Sequence, residues 1–531
     1  MRRKMKVNLS DEIKKIENQP LSGKNNIELD SWKKAINVIS KNMDNGRIGI
    51  VQGPPGTGKT TIYANAFSRY FDKLGDGNII VYIAPTNELV YDMFKKVGSE
   101  YAKRGAIDRI SHEVRVYGSI FDQDPSIRSI REPPSMETKI VLMTNYQRLY
   151  PGNNRFNYNV MIDEASKSPL HTAFIGLANQ LAKDELDGSI SIVGDPMQAI
   201  SLGPYQGSAR RMLIMSYLLA PMLNHSSRDL NDRELLAEAK RSAIRGSSFE
   251  FLEVTLRMPS PSEEAISKGF YDNDLRAYRS ASQILHSNYE ANKLRELATE
   301  KEQMRKITEK VEELISTGRC ILYERVNEKK SYDSNYYRKY GLTYDPTRAE
   351  LGIETAIALA AGTGKHTTVI TTYVDQQIQM DLLMRRKYGY ILEKYGIRDQ
   401  ISFSTTQSFL GAEDDNIVAV LGKEYSISTY TQNYSTSTYN EGDPSTIYFN
   451  EPEVLNVQLS RHKMLLAIIG NLSILASQAA KQDQSMGLSR FSPLRITADH
   501  LLQQSGFEKQ GSRYLPKRSS GDAVFMVFDD N

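Results

Sequence analysis

The most constraining feature of the chain is a glycine-rich segment, GPPGTGKT, at residues 53 to 60. It directly follows a short apolar run at residues 48 to 51, and a helical pattern of apolar residues comes after it. Glycines at this spacing let successive backbone N–H groups converge at a helix N-terminus, where they bind phosphate. The sequence therefore predicts a strand, a phosphate-binding loop and a helix at this point.

The residue types in this loop match the chemistry of nucleotide binding. Lys59 would reach the β- and γ-phosphates, and the Thr60 hydroxyl would bind Mg²⁺, so ATP and Mg²⁺ are the expected cofactors. A second glycine stretch, at residues 362 to 367, lacks the first glycine and the magnesium hydroxyl, and we predict a turn there. The predicted nucleotide-binding residues of the loop are Gly53, Pro54, Pro55, Gly56, Thr57, Gly58, Lys59, Thr60 and Thr61.

Further short apolar runs alternate with helical patterns along the chain. Branched runs that are each followed by a helix are typical of a parallel sheet buried on both faces, so the predicted fold class is α/β. The predicted strands lie near residues 79–83, 140–143, 160–162, 190–193, 369–372, 401–404, 417–420 and 465–469.

These runs fall into two groups, which predicts two tandem α/β domains in a chain of 531 residues. A thin apolar stripe in a highly charged stretch indicates a helical insertion in the second domain, and a run rich in Tyr, Ser, Thr and Asn indicates a mobile surface loop. The predicted segments are a polar tail at 1–27, a first domain at 28–224, a second domain at 225–480 with the insertion at about 277–320 and the loop at about 424–450, and a C-terminal extension at 481–531.

Composition excludes several classes of protein. The single cysteine, Cys320, allows no internal disulfide and no cysteine-cluster zinc site. The basic N-terminus lacks the apolar core of a signal peptide, and no apolar run is long enough to span a membrane. We expect an intracellular, cytoplasmic protein, with a nuclear one not excluded. The formal net charge of +3 makes a strongly cationic surface unexpected.

Two further strand ends carry polar residues suited to the same chemistry. Asp163 and Glu164 follow the strand at 160–162, where a carboxylate can hold Mg²⁺ and its neighbour can orient a water molecule. Acidic pairs also cap strands and helices, so this pair gains meaning only after a phosphate-binding loop. Gln198, four residues beyond Gly194, would place a neutral amide where it could sense a γ-phosphate.

Eight motifs in a fixed order resemble those of superfamily 1 helicases, within the branch typified by the RNA helicase of nonsense-mediated decay. The resemblance covers about residues 28 to 475. The motifs are the loop at 53–60, APTN at 84–87, DEA at 163–165, GDxxQ at 194–198, LRMP at 256–259, TxYxxQ at 371–376, FxGxE at 409–413 and NVxLSRxK at 456–463.

This resemblance implies two tandem RecA-like P-loop NTPase domains with ATP in the cleft between them. Asp163 would hold the metal, Glu413 the ribose, and Tyr373 would stack on the base. Glu164 would orient the hydrolytic water. The implied catalytic residues are Lys59, Glu164, Gln198, Arg257 and Arg461, the last two as arginine fingers.

The implied partner is single-stranded nucleic acid, DNA or RNA, with 5′-to-3′ translocation and strand separation. The protein would act as a monomer or within a replication or RNA-processing complex. A translocase without duplex unwinding, or a clamp that ATP merely closes, are the alternatives. The implied nucleic-acid contacts are Pro85, Thr86, Asn87, Thr144, Thr371, Thr405 and Thr406.

The chain departs from the family pattern at several positions. Lys33 stands where an adenine-reading glutamine is usual, and Leu410 and His462 replace a Gln and an Ala. An ammonium group only donates hydrogen bonds, so it cannot form the paired bonds that reject guanine. We therefore expect GTP to be hydrolysed within about tenfold of ATP.

Overall fold

The computed structural model describes most of the chain between Leu29 and Phe528. Among these residues no helix is both long and apolar enough to cross a membrane. The described residues are 29–75, 77–117, 133–145, 147, 156–167, 188–198, 213–225, 232–285, 290–326, 344–422, 448, 451–486, 491–510, 513–516 and 524–528. The predicted tail at 1–27 lies outside them.

The chain divides into two compact units, residues 1–254 and 255–531. The helices of the first unit are α1 Asp30–Asp44, α2 Lys59–Tyr70, α3 Asn87–Lys103, α4 Ile110–Glu113, α5 Ile214–Met222 and α6 Asp232–Arg241. Its strands are β1 Ile48–Gln52, β2 Asn78–Ala84, β3 Val114–Tyr117, β4 Ile140–Thr144, β5 Asn157–Ile162, β6 Gly188–Gly194 and β7 Phe249–Phe251.

A seven-stranded parallel sheet in the order β3-β4-β2-β5-β6-β1-β7 forms the centre of the first unit. Its strands are buried almost throughout because helices cover the sheet, as the continuous apolar runs predict. β1 lies beside β6, which lies beside β5. The carboxyl ends of these three strands, which carry the loop and the two acidic motifs, therefore meet at one edge of the sheet.

The second unit has its own parallel sheet. Its helices are α7 Glu264–Phe270, α8 Ala281–Leu285, α9 Ala291–Leu297, α10 Glu302–Ser316, α11 Pro346–Thr363, α12 Val374–Lys387, α13 Gly389–Lys394, α14 Glu453–Leu459, α15 Leu472–Met486 and α16 Ser492–Gln504. β8 Val254–Thr255 spans the division, and the later strands are β9 Arg276–Ala277, β10 Ile321–Val326, β11 Thr367–Thr371, β12 Ile401–Thr405, β13 Asp414–Val420, β14 His462–Gly470, β15 Phe507–Gln510, β16 Arg513–Pro516 and β17 Val524–Phe528.

Six parallel strands in the order β12-β11-β13-β14-β10-β17 form the sheet of the second unit. The predicted α/β fold class is confirmed, with a parallel sheet flanked by helices in each of the two units. Within the glycine stretch at 362–367, Gly362 and Thr363 end α11, residues 364–366 form the turn, with Gly364 in the left-handed conformation, and Thr367 begins β11.

The boundaries of the units differ from the predicted domains. The division falls between Val254 and Thr255 rather than near residue 225, because β7 pairs with β1 in the first sheet and α6 packs on β7. The predicted C-terminal extension supplies β17, which pairs with β10 in the second sheet. β7 has only three residues, too few to show a periodic pattern, and β17 pairs with a strand that is distant in sequence.

The charged stretch near residues 277–320 forms helices, and its apolar stripe is buried. Leu294 and Leu297 of α9 and Met304, Ile307 and Val311 of α10 are at most 1% exposed. α9 and α10 pack against α11, so this segment forms a helical layer over the sheet of its own unit. Its apolar face is thereby used within the unit.

The predicted mobile loop at about 424–450 lies outside the described residues except for Tyr448. That residue is fully buried, and its hydroxyl donates to the side-chain oxygen of Gln458 at 2.8 Å. The Gly422 N–H donates to the same hydroxyl at 3.1 Å. Tyr448 therefore belongs to the core of the second unit, whereas the composition of this stretch suggested a solvated surface.

A pair of buried carboxyl groups lies in the same core. Glu324 of β10 accepts a hydrogen bond from Thr355 Oγ1 at 2.6 Å, and Glu354 accepts one from the Tyr388 hydroxyl at 2.7 Å. Burial raises the pKa of Glu324 to about 8, which the Thr355 bond partly offsets and the charge of Glu354 reinforces. The folded state therefore keeps Glu324 protonated at neutral pH.

This pair makes the stability of the second unit depend on pH. The unfolded chain releases the Glu324 proton near pH 4.5, while the folded state holds it up to about pH 8, so stability falls as pH rises through that window and levels off above it. The Glu324→Gln variant has no ionisable group at this position. Its melting temperature should lie a few degrees above that of the parent at pH 8 but close to it at pH 5. Melting curves across this range test the prediction, with Glu350→Gln on α11 as control. An offset that does not change with pH would contradict it.

Candidate nucleotide-binding and nucleic-acid-binding sites

The glycine-rich loop lies between β1 and α2, as predicted, and two of its glycines are required sterically. A Cβ at Gly53 would lie 2.4 Å from Lys59 Cγ, so any side chain there would displace the lysine. Gly58 has φ +84°, and a Cβ there would lie 2.5 Å from Trp32 Cζ2. The Trp32 indole N–H donates to the Thr57 carbonyl at 2.8 Å. α1 therefore supports the loop through its tryptophan.

Lys59 is almost fully buried at the base of the loop. Its Nζ donates to the Gly53 carbonyl at 2.9 Å and lies 3.5 Å from Glu164 Oε1. Glu164 has φ +49°, an uncommon conformation for a residue with a side chain and one that costs on the order of 1 kcal/mol or more. This turn directs the Glu164 carboxylate toward Lys59 at the end of β5. Two of the three predicted catalytic residues of this unit are thus in contact.

Asp163 lies at the centre of the same cluster and is fully buried. Its Oδ2 accepts hydrogen bonds from Thr60 Oγ1 at 3.0 Å and from the Tyr82 hydroxyl at 2.7 Å, and its Oδ1 accepts the Glu164 N–H at 2.8 Å. Burial, followed by the charge of Glu164, raises the pKa of Asp163, while Tyr82 and then Lys59 oppose the increase. The predicted metal ligands Thr60 and Asp163 are therefore adjacent.

The residues of this cluster fit Mg²⁺. The hydroxyl and the carboxylate are hard oxygen ligands, which this ion prefers. No group of three or more His, Cys, Asp or Glu suited to a metal occurs in the described part of the chain. A nucleotide-bound Mg²⁺ does not need such a group, because it is held by one or two protein oxygens together with phosphates and water.

Gln198 lies in the neighbouring motif at the end of β6. Its Nε2 donates to Asp195 Oδ2 at 2.7 Å, and Asp195 Oδ1 accepts from Gln52 Nε2 at 3.3 Å and from the Met197 N–H at 3.2 Å. Asp195 therefore orients the amide that we predicted to sense the γ-phosphate. Gln52, which the sequence analysis did not single out, connects this motif to the strand before the loop.

In the second unit, the predicted finger Arg257 forms an ion pair with Glu413. Arg257 Nε donates to Glu413 Oε2 at 2.7 Å, and its guanidinium donates to the Ser460 carbonyl at 3.2 Å. Lys463 Nζ lies 3.1 Å from the other carboxylate oxygen. Burial disfavours the Glu413 charge, but Arg257 and then Lys463 outweigh it and hold the pKa of Glu413 below its ordinary value. Glu413, predicted to hold the ribose, thus also orients an arginine.

The predicted finger Arg461 is buried, and its Nε donates to the Val457 carbonyl at 3.1 Å. His462, which replaces the usual alanine, is fully buried and lies 2.6 Å from Ser262 Oγ through Nε2. Burial, followed by the charge of Arg257, lowers the pKa of His462 to about 3, so its ring is neutral. This contact connects the segment after Arg257 to the segment that carries Arg461.

Tyr373 precedes α12 at its N-terminus and is half-buried. The Thr371 hydroxyl donates to the Tyr373 carbonyl at 3.0 Å, which fixes the turn between β11 and α12. The predicted base-stacking role of Tyr373 remains a prediction.

The predicted nucleic-acid contacts lie at strand ends in both units. In the first, Pro85, Thr86 and Asn87 follow β2, and Thr144 ends the adjacent strand β4. Thr86 is exposed and caps α3 by accepting the Leu89 N–H at 3.4 Å. Thr144 is buried, so its side chain is less accessible than the prediction assumed.

In the second unit, Thr371 and Thr405 are paired residues at the ends of β11 and β12, and Thr406 follows. All three are buried. The Thr405 hydroxyl bonds to Ser408 Oγ at 3.0 Å, and the Thr406 hydroxyl donates to the Thr371 carbonyl at 3.2 Å. These hydroxyls hold the strand ends together, so any contact of theirs with nucleic acid needs a change of hydrogen-bond partner.

Two protein-family models match the chain. A model described as DEAD/DEAH box helicase matches residues 33–167, and one described as AAA domain matches residues 232–473. These matches support a nucleic-acid helicase. They support ATP binding and hydrolysis by a P-loop NTPase that acts on nucleic acid. A comparison with curated proteins finds no match.

Several solved helicase structures are similar to parts of the chain. The Arterivirus nonstructural protein 10 helicase in complex with DNA is 14% identical, with 86% of this chain and 65% of that chain covered and a TM-score of 0.35. The DUF1998 helicase MrfA bound to DNA is 12% identical, with 98% and 65% covered and a TM-score of 0.41. The Pyrococcus furiosus Hef helicase domain is 14% identical, with 82% and 94% covered and a TM-score of 0.30. The chain thus spans less than two thirds of the first two proteins.

Trp32 offers a direct probe of the loop, because it is the only tryptophan and contacts Thr57 and Gly58. We expect its fluorescence to change saturably when ADP or ATP binds, since reorganisation of the loop alters the surroundings of the indole. A fluorescence titration measures this, and Trp32→Phe should abolish the signal. Nucleotide binding seen by calorimetry without any change in fluorescence would contradict the prediction.

Proposed function

We propose that the protein is an ATP-dependent helicase that couples ATP hydrolysis to movement along single-stranded nucleic acid and to strand separation. The observation that carries this proposal is the cluster of Lys59, Thr60, Asp163 and Glu164 in the first unit. It combines a phosphate-binding lysine, oxygen ligands for a metal and a carboxylate suited to orient water, within hydrogen-bond or ion-pair distance. The motif order and the two family matches support the nucleic-acid partner.

Each residue then has a role in hydrolysis. Thr60 and Asp163 would hold Mg²⁺, which neutralises charge on the phosphates when bound, and Lys59 would bind the β- and γ-phosphates. When nucleotide is bound, Lys59 would contact the phosphates and no longer Glu164. The Glu164 carboxylate would then orient the attacking water. Arg257 and Arg461 would stabilise charge that develops in the transition state.

The finer features of the proposal come from the resemblance in sequence. They are membership of the branch typified by the nonsense-mediated decay helicase, 5′-to-3′ movement, a site for the ribose at Glu413 and base stacking on Tyr373. The proposal also includes an organisation into two RecA-like domains, with nucleic acid contacted at the strand ends of both.

The test is steady-state ATPase activity of the full chain with matched single-stranded DNA and RNA oligonucleotides, together with displacement of a labelled strand from duplexes with 5′ or 3′ overhangs. We expect stimulation by single strands and displacement from the 5′-overhang duplex. Stimulation without displacement would favour a translocase that does not unwind. ATP-dependent binding with no turnover would overturn hydrolysis and favour a clamp.

A further inference from the structure

Tyr82 is a buried tyrosine of β2 whose hydroxyl reaches the predicted metal-binding carboxylate. It is fully buried, and its hydroxyl lies 2.7 Å from Asp163 Oδ2. β2 is paired with β5, the strand that ends at Ile162, with Tyr82 opposite Met161. The motif roles assigned from sequence do not include this residue. Only the adjacency of the two strands brings it to the site.

A second buried tyrosine fixes the ring of Tyr82. Tyr63 of α2 packs against it edge to face, with ring centroids 6.0 Å apart and an interplanar angle of 88°. The Tyr63 hydroxyl lies 3.0 Å from the Ile162 carbonyl and 2.8 Å from the Ser191 carbonyl. Tyr63 is therefore bonded to backbone alone, whereas Tyr82 is bonded to the carboxylate.

The hydrogen bonds of Asp163 leave little freedom to its carboxylate. An ionised carboxylate has about four acceptor positions, two on each oxygen. Thr60 and Tyr82 donate to Oδ2 and the Glu164 N–H donates to Oδ1, so one position, on Oδ1, remains for the water shell of a metal. Without the Tyr82 hydroxyl, the ionised carboxylate of Asp163 would lose one of its hydrogen-bond donors. The carboxylate could then rotate about its bond to Cβ.

We propose that Tyr82 is a positioning residue that orients Asp163 for Mg²⁺ binding. This inference rests on the proposed function, since it assigns Asp163 to the metal of a bound nucleotide. Hydrogen bonds to a metal-ligating carboxylate commonly contribute about 10–100-fold to metal affinity or activity. Tyr82 would provide such a bond, because a tyrosine hydroxyl carries its proton at neutral pH and here donates it to Asp163 Oδ2.

The experiment measures how Mg²⁺ strengthens ADP binding to the full chain, by calorimetry at a series of Mg²⁺ concentrations and in EDTA. Tyr82→Phe removes only the hydroxyl. We expect the Mg²⁺ concentration at half-maximal effect to rise about tenfold, with ADP affinity in EDTA unchanged. In steady-state ATPase assays at limiting Mg²⁺, kcat should fall more than KM rises, and added Mg²⁺ should restore it.

Tyr63→Phe is the matched control, because it also removes a buried hydroxyl but one that does not contact Asp163. It should lower the melting temperature while leaving the Mg²⁺ midpoint at the parent value. The inference would be overturned if the Mg²⁺ midpoint of Tyr82→Phe equalled that of the parent. It would also be overturned if Tyr82→Phe and Tyr63→Phe shifted the Mg²⁺ midpoint equally. Failure of the proposed function would look different, since the parent protein itself would then show no Mg²⁺-dependent nucleotide binding.

Discussion

Lys59→Ala is expected to abolish ATP hydrolysis, with a loss of turnover of about 10³-fold or more. The variant removes the cation that would bind the β- and γ-phosphates, and no described side chain of the loop carries another. It also removes the bond from Nζ to the Gly53 carbonyl, so a moderate decrease in melting temperature is expected. Steady-state turnover at saturating ATP and Mg²⁺ measures the effect.

The control for this variant is Lys96→Ala, which removes a nearby lysine whose Nζ contacts Thr61 Oγ1 at 3.3 Å. It lies outside the predicted catalytic set and should retain most of the activity. Turnover of Lys59→Ala near the parent value would refute the assignment of the nucleotide site. Lost turnover together with a lost melting transition would instead call for Lys59→Met, which keeps the apolar stem of the side chain.

Arg257→Ala is expected to lower kcat by about 10³-fold while nucleotide affinity changes only a few-fold, because arginine fingers act on the transition state. The structure adds a consequence. Glu413 would lose its partner at 2.7 Å and keep only Lys463, so the pKa of Glu413 should rise from its lowered value. Turnover and the affinity for a non-hydrolysable ATP analogue, measured side by side, separate the two effects.

Arg461→Ala should lower kcat to a similar degree, but this arginine is buried and bonded to the Val457 carbonyl. Arg461→Lys retains the positive charge but loses the planar guanidinium group. A low kcat with an unchanged melting temperature in this variant would identify a role in chemistry rather than in folding. Arg385→Ala is the control, since this exposed residue pairs with Asp381 on α12. If the variants lost nucleotide affinity but kept the parent kcat, the arginines would act in ground-state binding. If both quantities equalled those of the parent, the arginines would take no part in hydrolysis.

Much of the fold could be predicted because local patterns matched the final structure. The runs at 48–51, 79–83 and 140–143 all lie in strands of a doubly covered parallel sheet, where continuous apolar sequence is required on both faces. β7 and β17 were missed, because β7 has only three residues and both strands pair with strands that are distant in sequence. Because β7 was missed, the predicted domain boundary lay near residue 225 and not at Val254.

The sequence by itself determined where the glycine-rich loop and the two acidic motifs lie, because the loop between β1 and α2 requires glycines and a lysine at set spacing and adjacent parallel strands end at one edge. Only the tertiary structure decided which partners those residues have. Tyr82 reaches Asp163, Trp32 supports Thr57 and Glu413 holds Arg257 across separations of 81, 25 and 156 residues. Such contacts depend on how strands and helices pack, and no local pattern records them.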